Sequence, residues 1–195
     1  MRLAIFGGSF DPPHVGHLLA STDAHEQLGL DRLIVVPTGT QPLKIGAAAA
    51  TATAEQRLEM ARLTFSEDAR FEISDVEVRR GGLSFTVDTL TEVAERYGEA
   101  ERFLLLGLDV LGTFTKWKDP ERILRLARPV LLERQHDREV ALPAVFQETN
   151  AIRLSTRRID VSSTEIRQRV QSGKSIRGFV TEKVAAYIER GGLYR

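Results

Sequence analysis

The densest group of chemically active residue types lies in the segment Gly7–His17, which reads GGSFDPPHVGH. Gly7 and Gly8 allow the backbone to turn sharply and to approach a ligand closely. His14 and His17 stand three residues apart at the predicted start of a helix, so both imidazoles project from one side of its first turn. A helix start carries unpaired backbone N–H groups and the positive end of the helix dipole. The segment therefore predicts an anion site, and phosphate is the obvious anion.

Other interpretations of this segment compete with the phosphate site. A histidine pair at this spacing can bind a metal ion, but no nearby carboxylate or third histidine completes a zinc set. Ser9 lacks the G-x-S-x-G elbow of the serine hydrolases, and the chain holds no G-x-x-x-x-G-K-[ST] phosphate loop. Histidines that merely cap a helix are the remaining alternative. Because two of the four histidines of the chain stand here, we favour the functional interpretation.

The elements that must position this segment alternate short apolar runs with stretches of helical period, which is typical of α/β folds with a parallel sheet. Strands are predicted at Arg2–Phe6, Leu33–Val36, Phe71–Val78, Arg102–Leu106, Pro129–Leu132 and, more weakly, Ile152–Leu154. Helices are predicted at His14–Leu28, after Thr53, at Thr86–Tyr97, at Ile166–Gln171 behind a capping box that begins at Ser162, and at Val180–Glu189. Gly46–Ala54 is predicted to be a loop.

Composition bounds the class of protein. The chain has 195 residues, of which 42% are hydrophobic, enough for one substantial core; we predict one domain over 1–195, whose C-terminal part, from about 160 to 195, is helical and packs on the sheet. Lys plus Arg and Asp plus Glu number 27 each, which argues against a nucleic-acid or membrane partner. The absence of cysteine excludes disulfides and thiolate chemistry. No apolar run is long enough to cross a membrane or to act as a signal peptide, so we expect a cytoplasmic protein.

The segment GGSFDPPHVGH resembles the G-x-F-D-P-x-H-x-G-H signature of the nucleotidyltransferases that share an H-x-G-H motif with class I aminoacyl-tRNA synthetases. Ser162–Arg167, which reads SSTEIR, resembles the second signature of these enzymes, I-S-S-T-x-I-R. Further similarity over Gly107–Trp117 and over Asp160–Arg195 is closest to the bacterial nicotinate-nucleotide adenylyltransferases. The resemblance implies a Rossmann-like, doubly wound parallel sheet with a small helical C-terminal part. It also implies transfer of the adenylyl group of ATP to nicotinate mononucleotide, with pyrophosphate as the second product.

The resemblance also assigns residues to roles. The expected catalytic residues are His17, His14, Lys44 and Arg167. The expected ATP-binding residues are Gly7, Gly8, Ser9, Phe10, His14, His17, Gly107, Asp109, Ser162, Ser163 and Arg167. The expected mononucleotide-binding residues are Thr38, Lys44, Ser84, Phe85, Thr86 and Trp117. Magnesium is expected to arrive with ATP, bound by phosphate oxygens and water, so no protein metal ligand is predicted.

Simpler roles compete for several of these residues. Asp109 suits a ribose hydroxyl at the end of a strand but would also serve as the N-cap of a helix over 110–114. Thr86 would receive the nicotinate carboxylate or cap the helix that it opens. Trp117 would stack on the pyridine ring or belong to the core. Arg167 would contact phosphate or be a solvated surface charge, and Ser162 is expected to be an N-cap as well as a ligand.

The chain departs from the pattern of these adenylyltransferases on the mononucleotide side. Leu43 stands where a histidine is expected, Thr38 replaces an asparagine and Lys118 replaces a tyrosine. The alternatives are therefore a sister adenylyltransferase that acts on nicotinamide mononucleotide or phosphopantetheine, and a nucleotide sensor without chemistry. The expected partners are the two small-molecule substrates, and a homo-oligomer is kept as an alternative to a monomer.

Overall fold

The computed structural model describes residues 1–43, 51–134, 143–147 and 149–195. The strands are β1 (Arg2–Gly8), β2 (Arg32–Pro37), β3 (Phe71–Ile73), β4 (Glu101–Gly107), β5 (Arg128–Arg134) and β6 (Ile152–Thr156). The helices are α1 (Val15–Leu28), α2 (Ala54–Phe65), α3 (Val76–Arg80), α4 (Thr86–Tyr97), α5 (Leu108–Leu111), α6 (Pro120–Leu126), α7 (Ala144–Gln147), α8 (Ser163–Gln171) and α9 (Glu182–Gly191). A 3-10 turn spans Phe114–Lys116.

The strands form one sheet in the order β3-β2-β1-β4-β5-β6, and every neighbouring pair is parallel. This is the doubly wound order, so the predicted α/β, Rossmann-like class is confirmed. All strands run in the same direction, but the order in which the chain adds them to the sheet reverses between β1 and β4. Ligands of such sheets bind beyond the carboxyl ends of the strands at this point. The loop of residues 9–14 follows β1 there, and the short helix α5 follows β4.

Side-chain alternation along the strands builds a core on each face of the sheet. Leu3 and Ile5 of β1 join the cluster that includes α4 and α6, whereas Ala4 and Phe6 join the cluster that includes α1 and the end of α2. Burial on both faces explains why the strands read as continuous apolar runs.

A third cluster unites the C-terminal helices with α2. Its members include Met60 of α2, Ile166 of α8, Val184 and Ile188 of α9, and Tyr194. Among the described residues this cluster contains none from a strand. These helices pack mainly on α2 and on the loop after β1, so the prediction that they pack on the sheet is wrong.

The predicted strand Phe71–Val78 is only partly correct, because β3 ends at Ile73 and α3 begins at Val76. Just after β3, the amide of Ser74 still donates to the carbonyl of Val35 in β2, at 2.9 Å. The amide of Arg79 donates to the carbonyl of Asp75, at 2.8 Å, which is the bond pattern of a helix. Val76 is buried in the core from this helix. Tertiary packing thus overrides the β propensity of the two valines.

The helix-cap alternatives for Thr86 and Asp109 are wrong, whereas two predicted caps are confirmed. The N-cap of α4 is Phe85 rather than Thr86, and the N-cap of α5 is Gly107 rather than Asp109. Thr53 caps α2 in a reciprocal capping box with Gln56, and Ser162 caps α8 through a 3.1 Å bond from the amide of Glu165.

Candidate active site

The loop between β1 and α1 lies at the reversal point of the sheet and presents both histidines of the first motif. The His14 and His17 ring centroids are 3.7 Å apart with planes inclined by 33°, so the two imidazoles do share one side of the first helical turn. The backbone amide of His14 donates to Nδ1 of His17, at 3.2 Å. A neutral His17 ring therefore carries its proton on Nε2, the nitrogen on the far side of the ring.

Two features of the same loop shape the floor of this site. The ring of Phe10 lies edge-on to His17 with 5.1 Å between centroids, although Phe10 has a φ of +48°, which side chains rarely adopt. A Cβ atom on Gly8 would stand 3.0 Å from the Phe10 ring, so a side chain at this position would have to displace the ring by a few tenths of an ångström. A Cβ atom on Gly7 would meet no protein atom within 4 Å, so Gly7 borders open space at the end of the strand.

The second motif contacts the first, although the two are far apart in sequence. Ser163 donates its hydroxyl to the carbonyl of Pro12 at 2.8 Å, and Arg167 donates to the carbonyl of Asp11 at 2.7 Å. These bonds place the start of α8 beside the start of α1. Two helix N-termini, two imidazoles and a guanidinium thus meet at one place, which concentrates positive potential there.

A buried polar network beneath the loop was missed by sequence reasoning. Asp11 is 4% exposed, and its carboxylate accepts from the amides of Thr51 and Ala52, at 2.7 and 3.1 Å, and from the hydroxyl of Tyr194, at 2.7 Å. Burial, followed by the charge of Asp11, raises the pKa of the Tyr194 phenol, which keeps it a proton donor. Asp11 therefore joins the first motif to the approach of α2 and to the segment after α9.

Arg57 of α2 is the second residue that sequence reasoning missed. It is 2% exposed and donates to the carbonyls of Ser9, Gly39 and Ala52, at 2.8, 2.7 and 3.3 Å. Burial lowers the pKa of its guanidinium, although an arginine stays protonated at any working pH. Arg57 thereby ties the loops that follow β1 and β2 to the start of α2.

At the end of β4, Asp109 folds back over Gly107. A Cβ atom on Gly107 would stand 2.6 Å from Oδ1 of Asp109, so a side chain there would displace the carboxylate. Asp109 is the second residue of α5 and its side chain is exposed. The carboxylate lies at the carboxyl edge of the sheet, where the sequence predicts a contact with ribose hydroxyls.

The segment before α4 is fixed to the loop after β2. The amide of Ser84 donates to the carbonyl of Thr40 at 2.9 Å, and the Ser84 hydroxyl accepts from the amide of Gly39 at 3.0 Å. Thr38, which is buried, donates its amide to the carbonyl of Gly8. Thr86 is the first residue of α4, where helix N–H groups have no intrahelical partner.

A buried carboxyl group lies under this segment. Glu77 is 7% exposed and accepts from the hydroxyl of Thr89 at 2.6 Å. Burial raises the pKa of Glu77, and hydrogen bonds from Thr89 and Ser84 oppose that rise. Since the Ser84 amide and hydroxyl both have protein partners, Ser84 serves the segment as an anchor, and Phe85 and Thr86 stand nearer the helix start.

Trp117 lies in the segment whose next residue, Lys118, contacts the start of α4. It is half-buried and lies 5.2 Å from Phe114, centroid to centroid, at the edge of the core cluster that Phe85 also borders. The adjacent Lys118 pairs with both carboxylate oxygens of Asp88 in the first turn of α4, at 3.0 Å each, and its ammonium stands 4.7 Å above the Phe85 ring. Lys118 thus connects the Trp117 segment to the start of α4.

The remaining expectations concern the loop after β2, the metal and the membrane. Lys44 lies outside the described residues, and Leu43 next to it is 54% exposed. Within the described ranges no group of three or more His, Asp or Glu side chains is arranged to hold a metal ion. No helix in the described part of the chain has the length and apolar character that a bilayer crossing requires.

Comparison with known proteins agrees with this arrangement. The sequence model of the cytidylyltransferase-like family matches residues 5–169, a range that includes both motifs, and the chain belongs to this family. It is 48% identical to a Gemmatimonas aurantiaca protein named "Probable nicotinate-nucleotide adenylyltransferase", over 100% of this chain and 93% of the relative. A Thermus thermophilus protein of the same name is 41% identical over 100% of both chains. Within its family the chain therefore groups with the nicotinate-nucleotide adenylyltransferases.

A solved structure supports the fold. The structure of Plasmodium falciparum nicotinic acid mononucleotide adenylyltransferase complexed with NaAD superposes with a TM-score of 0.78 over 99% of this chain and 97% of that one. The sequence identity of the two chains is only 17%, so this likeness shows the shared architecture.

Proposed function

We propose that this chain transfers the adenylyl group of ATP to nicotinate mononucleotide and releases nicotinate adenine dinucleotide and pyrophosphate. The curated relatives that match the full length of this chain are named for this activity. The structural observation that carries the proposal is the contact between the two motifs, in which Ser163 and Arg167 hold the carbonyls of Pro12 and Asp11. It brings two helix starts, the two imidazoles and the Arg167 guanidinium together at the reversal point of the sheet.

The reaction needs alignment and charge stabilisation rather than a protein nucleophile. A phosphate oxygen of the mononucleotide attacks the α-phosphorus of ATP, the new O–P bond forms, and the bond to the β-phosphate oxygen breaks. Negative charge then spreads over the phosphoryl oxygens and the departing pyrophosphate. Nε2 of His17 and the ring of His14 would donate to these oxygens, and Arg167 with the start of α8 would neutralise the pyrophosphate.

Magnesium enters as part of the ATP substrate. Mg²⁺ usually keeps several waters and is bound largely through substrate phosphates, so we expect phosphate oxygens and water to hold it. We therefore assign it no protein ligand, and the chain's own residues provide the remaining positive charge.

The mononucleotide would lie between Trp117 and the start of α4. In this arrangement Trp117 stacks on the pyridine ring, and the Phe85 and Thr86 segment receives the carboxylate of nicotinate at a helix N-terminus. Thr38 and Lys44 would contribute from the loop after β2, and Asp109 with Gly107 would contact a ribose of ATP. We propose that residues 1–195 act as one domain and that they act in the cytoplasm.

Pyrophosphate release from ATP and Mg²⁺ tests the proposal, with nicotinate mononucleotide, nicotinamide mononucleotide and phosphopantetheine compared as acceptors. We expect release with nicotinate mononucleotide and much less with the other two. Comparable release with both mononucleotides would keep adenylyl transfer but remove the preference for the acid. Release with phosphopantetheine alone, or ATP binding without release, would contradict the proposal and favour the sister enzyme or the sensor, respectively.

A further inference from the structure

Tyr194 lies in the short segment after α9 and reaches the centre of the network under the first motif. Gly192 ends α9 in the left-handed conformation, and the chain turns back so that Tyr194 is only 5% exposed. Tyr194 itself has a φ of +65°, a conformation that costs energy for a bulky residue. A bulky residue whose backbone is held in this conformation requires compensating contacts.

The compensating contacts lead to the proposed active site. The Tyr194 hydroxyl donates to Oδ1 of Asp11 at 2.7 Å and lies 4.0 Å from the sulfur of Met60. Asp11 is itself buried, and its other two donors are the backbone amides of Thr51 and Ala52. Tyr194 is therefore the one side-chain hydroxyl among the donors that the structure describes for this carboxylate.

The same carboxylate stands near a proposed catalytic cation. Arg167 donates to the backbone carbonyl of Asp11 at 2.7 Å, while its guanidinium stays 3.8 Å from Oδ2 of the Asp11 side chain. The Tyr194 hydroxyl and the two amides satisfy the carboxylate, so Arg167 does not need to close on it. If the hydroxyl were removed, a buried carboxylate would lose a donor, and the nearest mobile donor to replace it would be Arg167.

We propose that Tyr194 is a positioning residue for adenylyl transfer, which acts through Asp11 to keep Arg167 and the loop of His14 and His17 in place. This role rests on the proposed function. The role also gives a reason for the packing of the helical C-terminal part on α2. In this position the segment after α9 reaches Asp11 in the loop after β1. Tyr194 would touch neither ATP nor the mononucleotide.

The test compares Tyr194→Phe with a matched tyrosine elsewhere. Tyr97 donates its hydroxyl to a carboxylate oxygen of Glu72, also at 2.7 Å, at the end of α4 and remote from the two motifs. Tyr97→Phe therefore removes the same kind of bond without touching the loop. We expect a decrease in Tm for both variants, but a roughly tenfold lower kcat only in Tyr194→Phe, since small displacements of positioned groups cost that much or more.

Two further measurements separate positioning from general stability. In an Asp11→Asn background, the additional change Tyr194→Phe should lower kcat little, because the two residues act through one contact. Amide hydrogen exchange should quicken over residues 9–11 and at His14 in Tyr194→Phe and stay unchanged there in Tyr97→Phe. The proposal is overturned if Tyr194→Phe keeps the wild-type kcat and exchange rates, or if both tyrosine variants lose activity in parallel with Tm.

Failure of the proposed function would look different. In that case the wild-type chain would release no pyrophosphate with any acceptor, whatever residue stands at 194. The exchange measurement needs no turnover, so it still decides whether Tyr194 holds the loop.

Discussion

The two sides of the proposed site are held by contacts of different kinds. On the phosphate side, which comprises residues 7–17 and the start of α8, the supporting groups Asp11, Arg57 and Tyr194 are at most 5% exposed. On the mononucleotide side, which comprises residues 38–43, 84–88 and 114–118, the connecting pair of Lys118 and Asp88 has side chains that are 50% and 37% exposed.

This difference has an energetic consequence. Removing one partner of a buried polar contact costs about 1–3 kcal/mol, whereas an exposed ion pair contributes roughly 0–1 kcal/mol. Substitutions on the phosphate side therefore threaten both the fold and the reaction. Substitutions at the exposed positions of the mononucleotide side cost the fold little, and two of the chain's departures from its family's pattern, Leu43 and Lys118, lie at such positions. The buried Ser84 on the same side and the buried Glu77 beneath it are exceptions. We therefore expect a rigidly supported reaction site on the phosphate side and an adjustable choice of acceptor on the other.

The largest effect is expected on the phosphate side, for His17→Ala. Loss of a group that stabilises developing charge should lower kcat by about 100-fold or more, with little change in ATP affinity. Steady-state pyrophosphate release and calorimetric titration with ATP measure the two quantities. His25→Ala, at the other end of α1, is the control and should retain turnover. An unchanged kcat in His17→Ala would show that His17 does not stabilise the transition state.

Local patterns made most of the fold and part of this site predictable. The apolar runs, the Thr53 capping box and the glycine after α1 are encoded within a few neighbouring residues, and the structure confirms them. Both motifs were visible because their residues are close in sequence. Only their contact, between Ser163 and Pro12, needed the fold.

Asp11, Arg57 and Tyr194 could not be predicted from the sequence, and the physical reason is the same for all three. Tyr194 and Asp11 are 183 positions apart, and Arg57 reaches Ser9 across 48 positions, so no periodicity relates the partners. An arginine on a helix is ordinarily solvated, and nothing local marks Arg57 as buried. The predicted strand over Phe71–Val78 is correct only to Ile73, for the complementary reason that local β propensity gives way to packing in α3.

The next largest effect is expected on the mononucleotide side, for Trp117→Ala. A base–aromatic stack contributes about 1–3 kcal/mol, so KM for nicotinate mononucleotide should rise by roughly tenfold or more. KM for ATP should change far less, because Trp117 borders the core cluster that Phe85 also borders, and none of the hydrogen bonds between the two motifs involves it. Initial rates with each substrate varied in turn give both constants. An equal rise in both would mean that Trp117 belongs to the core and that the two sides are not separable.

The smallest effect is expected for Lys118→Met, which keeps the aliphatic stem but removes the ammonium from Asp88 and from the face of Phe85. Because an exposed ion pair and an exposed cation–π contact are each weak, KM for the mononucleotide should rise by only about two- to fivefold at constant kcat. Lys116→Met, at an exposed position at the end of the 3-10 turn, is the matched control and should leave KM unchanged.

Asp88→Asn distinguishes two ways in which Lys118 would act. If Lys118 holds the Trp117 segment against α4, breaking the pair should raise KM for nicotinate and nicotinamide mononucleotides alike. If its charge attracts the carboxylate of nicotinate directly, Asp88→Asn would free that charge and lower KM for the acid alone. The bidentate pairing with Asp88 at 3.0 Å neutralises most of the ammonium's field, so we expect the first result. A selective gain for the acid would instead make an exposed lysine the determinant of acceptor choice.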